Sequence, residues 1–164
     1  MNLIHEFWKQ FKAENKLAPK TSYYEAFAFG SNPKMADDLL DLVEKGKKRA
    51  TTSCLLAYQN EALPRVGDYS IVLDGKENPR LIIQTTSVRQ MRFCDMDFDT
   101  CVKEGEDTSL DSWIHHHTSF FIEEGKQSGY VFSLDMPILF EEFIVVYHPQ
   151  NPNMKGNNNA ENYS

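Results

Sequence analysis

The chain has 164 residues, 41% of them hydrophobic and 25% charged, with a formal net charge of −7. That supplies enough apolar material for one domain with its own core and too much for a disordered chain. A net negative charge disfavours a long polyanionic partner unless the few cations cluster, so the places where Lys and Arg gather are informative.

Ile4, Phe7, Trp8 and Phe11 recur at i, i+3, i+4 and i+7, which predicts an amphipathic helix over 3–15. AENKLAPKTS reads as a loop, and the aromatic segment 23–29 as a short strand or a buried turn. Asn32-Pro33 opens a second helix, since Asn can cap and Pro suits the first helical position. Ala36, Leu39, Leu40 and Val43 give that helix its apolar face, and Gly46 stands where a left-handed residue would stop it. ATTSC, 50–54, is a strand start.

DYSIVLD, 68–74, is a further strand, followed by turn chemistry over 74–79. Residues 80–93 suffice for one bent strand or two, and 95–103 for a short helix. Thr108 is placed to cap a helix running to about Glu124, with Asp111 at the third position. FEEFIVVYH, 140–148, closes the fold as a strand, and the polar segment 149–164 reads as a disordered tail. Helices before and between concentrated strands predict α+β, a small mixed or antiparallel barrel flanked by helices. The expected organisation is a helix and linker over 1–22 packed on a domain over 23–148.

Cys54, Cys94 and Cys101 are odd in number and show no CxxC spacing, which argues against a disulfide framework or a zinc ribbon. No apolar run approaches the roughly 20 residues of a membrane span, and no secretory-type apolar segment is evident, so a reducing cytoplasm is the expected location.

EKGKKRATTS, 44–53, gathers Lys45, Lys47, Lys48 and Arg49 directly before three hydroxyls. Cations at a helix C-terminus complement its dipole, which is one sufficient reading. The other is chemical. Strand alternation puts Thr51 and Ser53 on one face and Thr52 on the other, and a turn can bring the Lys48 amine to the Thr51 hydroxyl. Cationic neighbours and burial lower a lysine pKa, and a neutral lysine can activate a hydroxyl nucleophile. EGEDTSL, 104–110, crowds Glu104, Glu106 and Asp107 before a helix start, either as favourable N-terminal charges or as an acid facing Lys48 and Thr51.

Three consecutive helical histidines, 115–117, cannot converge on one metal, because neighbouring side chains diverge by about 100°. No metal and no cofactor are expected. His117 shares a face with Leu110, Trp113 and Phe121, while His115 and His116 point elsewhere. His117 is then either a hydrogen-bonded core residue or part of a pocket in which Trp113 stacks on a base.

FAFGSNPKMADDLLDLVEKGKKRATTS, LPRVGDYSIVLDGKENP, EGEDTSLDSWIHHHTSFF and FEEFIVVY, in that order, resemble the ASCH domain family over about 24–147, including its G-x-K-x-x-T-x-S element. The resemblance implies a PUA-like fold, a small β-barrel with flanking helices related to RNA-binding domains. Some small members of that family resemble hydrolases of N4-acylated cytidines that use a Lys, a Thr and a Glu; others are described as ribonucleases. Carried over by motif, Lys48 and Thr51 match K-x-x-T, Glu104 matches the acid of the EG dipeptide, with Glu106 as the alternative, and His117 matches W-x-x-x-H after Trp113. Ile114 departs from the Arg that many close relatives carry, which weighs against phosphate binding. Gly46, Gly67 and Asp68 fit the pattern as structural residues.

The expectation is therefore a site with Lys48, Thr51 and Glu104 as catalytic residues and Lys47, Arg49, Ser53, Glu106, Trp113 and His117 as substrate contacts. Three functions fit it: an amidohydrolase of N4-acylated cytidine-type nucleosides, a non-catalytic RNA- or nucleotide-binding regulatory module, and a ribonuclease. The expected partner is a small nucleoside or nucleotide or single-stranded RNA, not a membrane, and the assembly state is open, a homodimer included.

Overall fold

The computed structural model describes residues 2–152. α1 (Leu3–Glu14) is capped by the Asn2 side chain and buries Trp8 and Phe11, as the aromatic spacing predicts. β1 (Glu25–Phe27) is followed by α2 (Pro33–Glu44), whose Asn32 side chain accepts from Met35 N with Pro33 in the first turn. β2 (Ala50–Cys54), β3 (Tyr69–Leu73) and β4 (Pro79–Arg92) follow, then the four-residue α3 (Phe98–Cys101), α4 (Leu110–Ser128) and β5 (Pro137–Tyr147).

The five strands form one curled sheet in the order β1-β3-β4-β5-β2. β1 runs parallel to β3, and the other pairings are antiparallel. The segment 79–92 is a single strand, whose first part pairs with β3 and whose remainder follows β5. Register shifts at Ile82/Ile83 and Thr85/Ser87 bend it, because an extra residue on one strand kinks the ladder and increases local twist. The α+β class with flanking helices is as expected, and the small mixed barrel takes the form of a half-barrel. α1 covers Ile71, Ile82 and Tyr147; α2 covers Val72, Leu81, Phe143 and Val145; Trp113 and Phe121 of α4 join Ala50, Cys54, Phe93 and Phe140.

Three boundaries differ from the sequence reading. The cap of α4 is Ser109, whose Oγ accepts from Ser112 N, so Thr108 lies outside and Asp111 is the second helical residue. α4 continues past Glu124, through the buried Gly125, to Ser128, and Gly129 ends it in the left-handed region. β5 starts at Pro137, three residues before Phe140, pairing with the end of β4. The tail expected over 149–164 falls, beyond residue 152, outside the described residues. No helix among the described residues is long and apolar enough to cross a membrane.

Candidate functional site

The site is built from two turns. α2 ends at Gly46 (φ +74°), and the Leu42 carbonyl then accepts from both Lys47 N and Lys48 N, which holds the chain as it leaves the helix. Arg49 N donates to the Lys103 carbonyl, and the Arg49 carbonyl accepts from Phe143 N. The first bond ties the start of β2 to the turn carrying Glu104, and the second ties it to β5. Gly105 (φ +73°) completes the approach: a Cβ there would collide with the Lys47 carbonyl, so the two turns touch only because that residue is glycine.

Lys48 and Glu104 are thereby buried side by side, at 1% and 2% exposure. Lys48 Nζ donates to the Ala50 carbonyl (3.0 Å) and to Glu106 Oε2 (2.8 Å), lies 3.8 Å from Glu104 Oε1, and sits 5.2 Å from the centre of the Phe29 ring. Two bonded acceptors and the nearby Glu104 carboxylate thus surround the amine with oxygen. Glu104 Oε2 accepts from Thr52 Oγ1 (3.0 Å) and from Trp113 Nε1, while Oε1 faces His117 Nε2 at 3.4 Å. Burial alone would raise the Glu104 pKa, but the donors from His117 and Trp113 and the charge of Lys48 outweigh it and hold the carboxyl below the ordinary range. His117 is the reciprocal case. Burial opposes its charge, yet the Glu104 carboxylate prevails and the imidazole is raised. Its Nδ1 donates to the Trp113 carbonyl (3.0 Å), so the ring presents N–H groups to two acceptors when protonated.

These side chains wall a cleft of about 110 Å³, also lined by Phe29, Met35, Thr51, Thr52, Glu106, His116 and Phe120. Two recesses share walls with it. One, of about 530 Å³, includes Met35, Glu106, His116, Phe120 and Glu123. The other, of about 310 Å³, runs past Thr51 to Ser53, Tyr58, Glu25, Glu61, Glu124 and Glu141. The recesses fall in the size range of small-molecule pockets, about 300–1,000 Å³. Desolvation, with the charges of Glu141 and Glu61, pushes the Glu25 carboxyl up to about 7, and Glu141 is likewise raised, chiefly by burial. Among the described residues, no Lys, Arg or His lines this acidic recess.

The expected residues are thus only partly gathered. Lys48, Thr51, Glu104, Glu106 and His117 line one cleft. Lys48 Nζ bonds to Ala50 and Glu106 rather than to the Thr51 hydroxyl. Ser53 lines the acidic recess, its Oγ bonded to Tyr58 OH at 2.9 Å. Lys47 is exposed and Arg49 contributes through its backbone; neither lines the cleft. Trp113 cannot stack on a base, because Phe93 (5.2 Å, 29°) and His117 (4.2 Å, 20°) already stack on its ring. Two residues lay outside the sequence reading. Thr52, on the strand face opposite Thr51, holds Glu104; the alternation that sets it apart from Thr51 was the available signal. His116, expected to point elsewhere, lines the cleft and the larger recess. No group of three metal-ligating side chains is assembled among the described residues.

A family model for the ASCH domain matches residues 25–147. The chain belongs to the ASCH domain family. Two crystal structures resemble this ASCH domain over 88% of its length, each with a TM-score of 0.79. One, at 33% identity and 92% of its own chain, is protein EF3133 from Enterococcus faecalis V583. The other, at 30% identity and 94% of its own chain, is an ASCH domain from Lactobacillus crispatus JV V101. No curated protein matches the chain.

Proposed function

We propose that this ASCH domain hydrolyses the amide of an N4-acylated cytidine-type nucleoside in the cleft bounded by Lys48, Thr51 and Glu104. The observation that carries the reading is a half-buried threonine, Thr51, lining the same cleft as a buried lysine set between two carboxylates. Thr51 is the nucleophile. Its oxygen attacks the acyl carbon, the bond to the exocyclic nitrogen breaks, that nitrogen takes a proton, and water then releases the acyl group as a carboxylic acid and restores Thr51. The ammonium of Lys48 balances the negative charge that develops on the acyl oxygen. Glu104 and Glu106 hold that ammonium in place, so the role of Lys48 shifts from a base to a source of positive potential.

The ASCH family is generally RNA-associated, which supports the alternative of RNA or nucleotide binding without chemistry. The acidic recess favours the nucleoside. Glu25, Glu61, Glu124 and Glu141 with no cation among them repel a phosphate chain and accept readily from amino and hydroxyl groups.

The test is a set of N4-acylated cytidines, their 5′-phosphates and a short single-stranded RNA, followed by chromatography for deacylation or cleavage and by calorimetry for binding. Deacylation of the nucleosides in preference to the phosphates supports the proposal. RNA binding without turnover of any acylated nucleoside replaces it with the binding-module reading, and RNA cleavage with the ribonuclease reading.

A further inference from the structure

The hydrolase reading leaves the proton of Thr51 without an acceptor. Of the titratable side chains lining the cleft, Lys48 donates to Ala50 and Glu106, and Glu106 accepts that bond. Glu104 is held in its ionised form by donors on both oxygens. His117 donates Nδ1–H to the Trp113 carbonyl and turns Nε2 to Glu104. His116 offers a ring nitrogen, Nε2, that no bond among the described residues reaches.

His116 is not simply a surface histidine. Its Nδ1 lies 2.7 Å from Asp107 Oδ1, and the Asp107 side chain is 2% exposed while the imidazole is 65% exposed. The same Asp107 oxygen accepts from Ser112 Oγ at 2.6 Å, one helical turn before His116 on α4. The Asp107 carboxylate is therefore fixed from two directions and accepts only, which requires the hydrogen of a neutral His116 to sit on Nδ1. No bond reaches Nε2 among the described residues, and the ring lines both the cleft and the larger recess. Glu106 and Glu123 line that recess with it, and the His115 ring lies edge-on to it at 5.7 Å.

We propose that Asp107 and His116 form a second functional unit of the site, in which Asp107 is a positioning residue and the unprotonated Nε2 of His116 exchanges a proton with the bound ligand. Nε2 takes the proton of the Thr51 hydroxyl as its oxygen bonds to the acyl carbon, and returns it to the exocyclic nitrogen as the C–N bond breaks, so the step consumes no other reagent. The identity of this reaction rests on the hydrolase reading; the tautomer and the contact of Nε2 with ligand do not.

The experiment is a long-range nitrogen–proton NMR spectrum of the histidine rings in the full-length protein, with and without cytidine, alongside turnover of N4-acetylcytidine. The expected result is the Nδ1–H tautomer for His116, its conversion toward Nε2–H in Asp107→Ala, and a displaced His116 Nε2 resonance when cytidine is added. His116→Gln lowers kcat by about 10²-fold or more with KM little changed, and Asp107→Asn lowers kcat with the fold intact by circular dichroism. An Nε2–H tautomer in the wild type, an Nε2 resonance that cytidine leaves in place while it moves those of His117, or wild-type kcat in His116→Gln overturns the proposal. A wild type that shows the tautomer and the cytidine shift but no deacylation removes the hydrolase reading and leaves the dyad as a ligand contact.

Discussion

Glu104 is where opposing terms meet: a carboxylate buried to 2% exposure is unfavourable, and Thr52, Trp113, His117 and Lys48 together make it tenable. Removing one partner leaves the others uncompensated. Lys48→Met is therefore expected to cost about 3–5 kcal/mol of stability, and Glu104→Gln in the same chain to recover part of that loss, both read from urea midpoints. The His117–Glu104 pair also sets a pH dependence. A folded-state imidazole pKa raised above its ordinary value means that the folded chain binds the proton more tightly than the unfolded one. The stabilisation is complete below the ordinary histidine range and is lost as pH rises through the raised folded value. The depressed Glu104 works at the other limb, its contribution present above the ordinary carboxyl range and lost as pH falls through the lowered folded value. Unfolding free energy measured from pH 6 to 9 is expected to decline in the wild type and to be flatter in His117→Gln.

At the scale of elements, the fold was legible wherever a periodic apolar face met a strong terminal signal. Asn32-Pro33 and Gly46 bracket α2 as expected, and β2 occupies the five residues 50–54 assigned to it. Thr108 misled because Ser109, the next residue, is an equally good cap and is the one whose Oγ meets Ser112 N. The candidate site was legible in part. Its polar residues fall in two short segments, but which side chain meets which depends on the approach of the turns at Lys48 and Gly105, and no local pattern encodes a distance between segments that far apart in sequence. Trp113 shows this well: its spacing announced a buried face, whereas its occupation on both sides by Phe93 and His117 is a tertiary fact. Trp113→Ala is expected to cost roughly 3–5 kcal/mol, seen as a lowered unfolding midpoint. Gly105→Ala is a sharper test of the two-turn construction. An alanine is strained by about 1–2 kcal/mol in the left-handed region, and its Cβ would meet the Lys47 carbonyl. The variant is expected to lose more stability than that strain alone and to separate Lys48 from Glu104.

Over the whole molecule, charge and topology point the same way. The chain carries a formal net charge of −7, and the curled sheet draws Glu25 of β1 and Glu141 of β5 into one recess beside Thr51. The folded chain holds a proton on Glu25 up to about pH 7, where an unfolded glutamate has already lost it. Stability therefore falls as pH rises through that interval, and Glu25→Gln is expected to reduce the slope. A recess lined by four glutamates and, among the described residues, no cation suits a neutral, hydrogen-bonding ligand and offers nothing to pair with a phosphodiester chain, which is why the nucleoside reading is preferred although the family is generally RNA-associated. On the proposed function, Thr51 performs the chemistry in this cleft. The most direct measurement is kcat/KM for deacylation of N4-acetylcytidine by the wild type and by Thr51→Ala, whose fold is checked by its unfolding midpoint. The expected result is turnover by the wild type and a fall of roughly 10³-fold or more in the variant; equal rates in the two, or a wild type that leaves every N4-acylated cytidine intact, would contradict a catalytic Thr51.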